Sequence, residues 1–224
     1  MLFINSVIES MRIEVYTSSC YYTGVHPEVT AIEFHRDKTG NFFEDDRFPN
    51  LVTLNCSYCW IMNLELSVAS LKRLYCRSSQ LTRLELNCPS LQELDCYDNR
   101  LEKLKLNCPS LQKLYCGNNR LTKLELNCSS LQILECDDNH LTKLRLNCPH
   151  LKYLWCHHNQ LEDLQLDCPS LVSLRCHGQF DNGLTDLNGL EFCSELRELE
   201  CSRTLQESVE ILEVHLPGLE TVYH

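Results

Sequence analysis

The sequence has little of what breaks or loosens a chain: glycine and proline number seven each in 224 residues. That scarcity excludes a collagen-like rod and a low-complexity linker. Cationic residues are also few, 20 against 31 acidic, leaving a formal charge of −11 and a pI near 5.2. A protein that neutralises phosphates needs a basic face, so neither nucleic acid nor an anionic membrane is expected as a partner. No apolar run approaches the roughly 18–20 residues needed to cross a bilayer. The opening Met-Leu-Phe-Ile-Asn-Ser has no basic segment ahead of its apolar residues and no small-residue cleavage site. It is expected to be folded sequence and not a secretion signal.

Cysteine and leucine, by contrast, are abundant. Sixteen cysteines in a small secreted chain would suggest a disulfide framework. Their spacing points elsewhere. The stretch Leu91-Gln-Glu-Leu94-Asp-Cys96-Tyr-Asp-Asn99-Arg-Leu101-Glu-Lys-Leu104-Lys-Leu106-Asn-Cys108-Pro109-Ser110 is repeated almost letter for letter from Leu111. Leu51, Leu71, Leu91, Leu111, Leu131, Leu151 and Leu171 mark six consecutive intervals of 20 residues. Self-similarity at a fixed short period is the signature of a solenoid. Drifting turns flank the array. Val29, Ile32 and Phe34 match Leu-x-x-Leu-x-Cys, and Ile8, Met11 and Ile13 suggest one turn earlier. After Leu171 the next start is Leu196, a 25-residue turn, and Leu199 and Cys201 follow it. Val209, Leu212, Val214 and Leu216 are expected to close that last turn. The chain therefore divides into degenerate N-terminal turns (1–50), six regular turns (51–170) and irregular C-terminal turns (171–224), all one continuous domain.

Leu-x-x-Leu-x-Cys-x-x-Asn-x-Leu resembles the leucine-rich repeat family. The 20-residue unit is similar to the shortest subtype, known from bacterial effectors and large DNA viruses. The resemblance implies a mainly β, right-handed parallel β solenoid, with one strand per turn on its concave wall. The residue pattern agrees independently. Leu94-Asp-Cys96 alternates inward and outward as a strand does, and so does Leu104-Lys-Leu106-Asn-Cys108 on the opposite wall. Two extended segments and two bends in 20 residues leave little room for helix. One turn alone buries too few apolar side chains to offset the entropy of ordering it, so only stacking makes the array stable.

Eight cysteines, Cys56 to Cys176 at every twentieth residue plus Cys201, form one inward column. Cys88, Cys108, Cys128, Cys148, Cys168 and Cys193 form another. Buried cysteine behaves as a small hydrophobe, which suits a narrow coil. In-register strands aim neighbouring thiols side by side, whereas a disulfide needs a crossed geometry. Reduced core thiols are expected, and with them a reducing, cytoplasmic location, including a host cytoplasm. Cys56-Ser-Tyr-Cys59 tempts a zinc or redox reading, but Cys59 occupies the place of Asn99, Asn119, Asn139 and Asn159. That column is read as structural, bonding the bend that follows the strand.

Function is expected where the turns differ. On the strand wall the outward residues vary from turn to turn, and Tyr75, Asp95, Tyr97, Tyr115, Glu135, Asp137, Tyr153, Trp155, His157, Arg175 and His177 are the candidate partner-binding residues. Rigid aromatic rings are the usual interface anchors, and the acidic middle favours a basic protein or peptide. Asp137, His157 and His177 stack on successive turns, with His158 adjacent, and carry donors that zinc accepts. Parallel side chains converge less well than ligands from opposing elements, so no metal or cofactor is expected. No serine–histidine–aspartate spacing or phosphate-cradling loop stands out, so the chain reads as a non-catalytic interaction scaffold, either monomer or weak homodimer. The alternatives are a self-associating solenoid that pairs through an open end, and a fragment of a ubiquitin ligase like some bacterial effectors.

Overall fold

The computed structural model describes residues 27–34, 48–178 and 182–224 in full and residues 11–15 by their backbone. Ile8 lies outside the described residues. Eleven strands form one parallel sheet and hydrogen-bond in chain order. They are Met11–Val15, Val29–Phe34, Thr53–Asn55, Arg73–Tyr75, Glu93–Asp95, Lys113–Tyr115, Ile133–Glu135, Tyr153–Trp155, Ser173–Arg175, Glu198–Cys201 and Glu220–Tyr223. The opposite wall carries two three-stranded parallel sheets. One holds Asn63–Leu66, Arg83–Leu86 and Lys103–Leu106; the other holds Lys123–Asn127, Lys143–Asn147 and Asp163–Asp167. The result is a β solenoid with little helix.

Register follows the repeat. Leu54, Leu74, Leu94, Leu114, Leu134, Leu154, Leu174 and Leu199 pair in one unbroken file. The parallel ladder leaves each of them fully buried, worth roughly 1.5–3 kcal/mol apiece. Both cysteine columns point into the same core, and all fifteen described cysteines are unbridged.

Two bends close each turn. At the first, the amide of Leu91 donates to Cys88 O (3.0 Å), and Leu111, Leu151 and Leu171 repeat the bond. Proline at positions 89, 109, 149 and 169 presets the backbone there, as the second residue of such a turn favours. At the second bend, Tyr58, Ser78, Asp98, Asn118, Asp138 and His158 all adopt left-handed φ between 49° and 61°. Asp and Asn tolerate that region best. The next residue ties the bend down. Asn119 Nδ2 donates to Cys96 O, Cys116 O and Gly117 O at 3.0–3.1 Å, while its Oδ1 accepts from Leu101 N. Asn139 and Asn159 do the same. Cys59 fits the column as expected, its Sγ facing Phe34 O and Ser57 O at 3.8 and 3.7 Å.

Three details depart from the expected pattern. The first strand sits two residues out of the anticipated phase: Ile13 pairs with Ile32 and Val15 with Phe34. The last turn is not extended after its strand. Helix α1 (Gln206–His215) replaces that segment, burying Val209 and Leu212 and leaving Val214 exposed. Leu205, Val209, Leu212 and Leu216 recur at helical spacing, which a strand-period reading hides. In the 25-residue turn, Asn182 takes over the bend-binding role, donating to Cys156 O and Cys176 O.

Candidate binding face

Because the strands are parallel and in register, outward side chains stack into files about 4.8 Å apart per turn. One file runs Asn55, Tyr75, Asp95, Tyr115, Glu135, Trp155, Arg175, Glu200, Val222. A second file, one residue past the buried cysteines, runs Arg77, Tyr97, Gly117, Asp137, His157, His177. Between them they form an open basin of about 650 Å³. It collects eight of the eleven expected residues, namely Asp95, Tyr97, Tyr115, Glu135, Asp137, Trp155, His157 and Arg175, and adds Arg77 and Glu93. Tyr75 faces a neighbouring hollow of about 580 Å³ with Asn55, Ser57 and Tyr58. Tyr153 stands apart, 42% exposed, and His177 joins a histidine group described below. Ser173, which pairs with Tyr153 on the neighbouring strand, is buried. A larger hollow of about 890 Å³ lies on the opposite wall, where residues 184–190 leave the edge of Asp163–Asp167. It gathers none of the varied residues.

The basin is electrostatically strained. Glu135 is pushed up to about 7, first by burial and then by the charges of Asp137 and Asp95, while Arg175 and Arg77 pull the other way. Burial likewise raises Asp95, although Tyr97 N donates to its Oδ1 at 3.1 Å and Arg77 stands 4.0 Å from Oδ2. Asp137 is raised mainly by burial, with Asp138 adding to it. The same two cations also sit over aromatic faces. Arg77 lies 5.3 Å from the Tyr97 ring centre and Arg175 lies 4.8 Å from that of Trp155. Trp155 Nε1 is buried without a hydrogen bond among the described residues. Such an atom costs roughly 1–3 kcal/mol until something accepts from it. Gly117 permits the close approach of its neighbours, since a Cβ there would come within 2.8 Å of both Asp137 Oδ1 and Tyr97 Cε2.

At one end of the face the imidazoles gather. His157 stacks on His177 with ring centres 5.0 Å apart, His158 meets both edge-on, and His177 stacks on His224 at 4.1 Å. His177 is pulled down to about 4 by burial and by His224 and His157, partly opposed by Glu200. Glu200 Oε2 lies 3.7 Å from His177 Nδ1 and 3.6 Å from His224 Nε2. Its Oε1 lies 3.0 Å from Arg175 Nε, an ion-pair distance without hydrogen-bond alignment. The grouping weighed from sequence, Asp137 with His157 and His177, is therefore not the tightest one. Sequence reasoning missed His224. The available signal was the pairing of Tyr223 with Cys201, which puts His224 in the file of His177.

Comparison with known proteins agrees with this architecture. The family described as Leucine Rich repeats (2 copies) matches residues 89–128 and 129–168. Comparison with curated proteins gave no match. Among solved structures, YopM from Yersinia enterocolitica is similar at 27% identity and a TM-score of 0.69, over 81% of this chain and 39% of that one. A functional domain of InlJ from Listeria monocytogenes, described as including a cysteine ladder, is 22% identical with a TM-score of 0.64, over 88% and 49%. The structure of a TLR13–ssRNA13 complex shares the fold at 20% identity and a TM-score of 0.61, over 80% and 33%. The chain thus spans less than half the length of each of these three. Repeat, register and family match converge: the chain is a leucine-rich repeat solenoid on a 20-residue unit, with residues 89–168 matching the family itself.

Proposed function

We propose that this protein is a non-catalytic scaffold in a reducing compartment, and that its basin takes up a protein or peptide bearing a basic segment. The observation that carries the reading is Glu135. This carboxylate is held near neutrality among Asp95 and Asp137, with no ion pair among the described residues. A lysine or arginine entering the basin relieves that repulsion and meets Tyr115, whose ring face also suits a cation. The similar TLR13 structure is a complex with RNA, but here the acidic basin and the net charge of −11 oppose phosphate.

Selection from a displayed random-peptide library tests the reading. Enriched peptides are expected to be rich in lysine or arginine, to bind less tightly as salt rises, and to lose binding when Trp155 and Tyr115 both become alanine. Enrichment of acidic or purely apolar peptides, or binding that survives the double substitution, would overturn it. Light scattering across a concentration series addresses self-association. A dimer that dissociates in Val222→Lys would favour pairing through the Glu220–Tyr223 strand over partner capture.

A further inference from the structure

We infer that His177, Glu200 and His224 form a binding site for a first-row divalent cation, zinc foremost, at the end of the sheet wall. The three residues come from three consecutive turns, Glu200 on the strand Glu198–Cys201 and His177 and His224 just past the strands Ser173–Arg175 and Glu220–Tyr223, and their donor atoms all lie within 4.8 Å of one another. Tetrahedral zinc with bonds of about 2.0–2.1 Å separates its ligand atoms by about 3.4 Å. Two of the three separations here, 3.6 and 3.7 Å, are already close to that. Two imidazoles and one carboxylate are a donor set that zinc accepts, with a fourth position left for water or a partner's group.

The surroundings support ligation. Glu200 divides its oxygens: Oε1 faces Arg175, and Oε2 faces both imidazoles. Orientation of a carboxylate ligand by a second group is the usual support at metal sites. His177 Nδ1 is buried with no hydrogen bond among the described residues, and it faces Oε2. His224 is fixed by its backbone, its amide donating to Cys201 O at 3.1 Å and its carbonyl accepting from Arg203 N at 3.4 Å. Ser202, small and buried, occupies the strand position between the two histidines, so that their rings can meet. The rings now lie 28° from parallel. A shared ion lies in the plane of each, so binding fans them apart about their terminal torsions and leaves the backbone in place.

The test uses the full chain purified without a polyhistidine tag, with cobalt(II) alone as spectroscopic probe and zinc as competitor. One equivalent of cobalt should bind, give weak ligand-field bands without sulfur-to-metal charge transfer, and leave on adding zinc. His177→Gln, Glu200→Gln and His224→Gln each keep the side-chain volume and should lose that equivalent while the circular dichroism spectrum holds. His140→Gln and His150→Gln, on exposed residues elsewhere, should keep it. A sulfur charge-transfer band would assign the ion to the cysteines instead. That band, retention of the ion in His177→Gln and His224→Gln, or no uptake with metal in excess would overturn the proposal.

Discussion

Replacing Glu135 by glutamine should stabilise the protein at neutral pH and leave it unchanged in mild acid. The carboxyl titrates at about 7 in the folded chain against 4.5 for an unperturbed glutamate. The folded state therefore holds this proton more tightly than the unfolded state. Between the two values the native protein binds more protons, so stability falls as pH rises through the window, and above about 7 the whole cost is present. A shift of about 2.5 pH units corresponds to a ceiling of roughly 3.4 kcal/mol, and the open side of the basin screens it to about 1–2 kcal/mol. Glutamine copies the protonated form. Its advantage should thus be near zero at pH 4.5 and amount to about 2–8 °C in melting temperature at pH 8. Thermal unfolding followed by circular dichroism across that range measures it. An advantage of equal size at every pH, or a less stable variant at pH 8, would refute the reasoning. The same variant should bind basic peptides more weakly, since a stabilising change within a strained site commonly costs function.

Asn119→Ala leaves the buried Leu101 amide unpaired and takes one of two donors from Cys96 O, Cys116 O and Gly117 O, and urea titration should show a loss of about 1–3 kcal/mol. Asn119→Ser should lose less, because Ser79 already serves its own turn by donating to Cys56 O and Arg77 O. Burial pushes Cys156 and Cys168 up to about 12, so iodoacetamide at pH 8 should label neither until denaturant is added; native labelling of Cys156, seen by peptide mass mapping, would contradict the buried-column assignment. Gly117→Ala should weaken peptide binding more than it lowers the melting temperature, because the added methyl meets the movable ends of Tyr97 and Asp137 and displaces them from the basin.

The core was legible because its physics is periodic. A leucine misplaced by one residue would face water, so the 20-residue spacing alone fixes the register from Leu51 to Leu171. The asparagine column was legible for the same reason, down to the cysteine that replaces one member of it. What escaped lay where the period fails. Insertion of residues after Cys176 moved the bend-binding asparagine to 182, a shift no column count anticipates. The apolar residues from Val209 to Leu216 fit either a strand or a helix, and the helix won because its spacing buries Val209 and Leu212 together. His224 was missed because its place in the file depends on which residue pairs with Cys201, a contact of the last strand and not of the repeat.

Stacking also explains why the outward files carry information about function. In-register strands leave a residue no choice of neighbour: whatever occupies one position faces its counterpart about 4.8 Å away on the next turn. Evenly alternating charges would make such files self-neutralising, as Lys105 does for Glu85 on the opposite wall, at 2.7 Å. The basin does the reverse. Asp95 and Glu135 are crowded and partly buried, Asp137 is buried beside them, and an indole donor is left unpaired. The crowded carboxylates and the unpaired indole donor lower stability, and the repeat offers no structural need for either, since the turns on either side fold without them. Strain confined to one face of a scaffold that otherwise satisfies its groups is what a complementary ligand would relieve, and on that ground the binding face is proposed on the wall where the repeat is least repetitive.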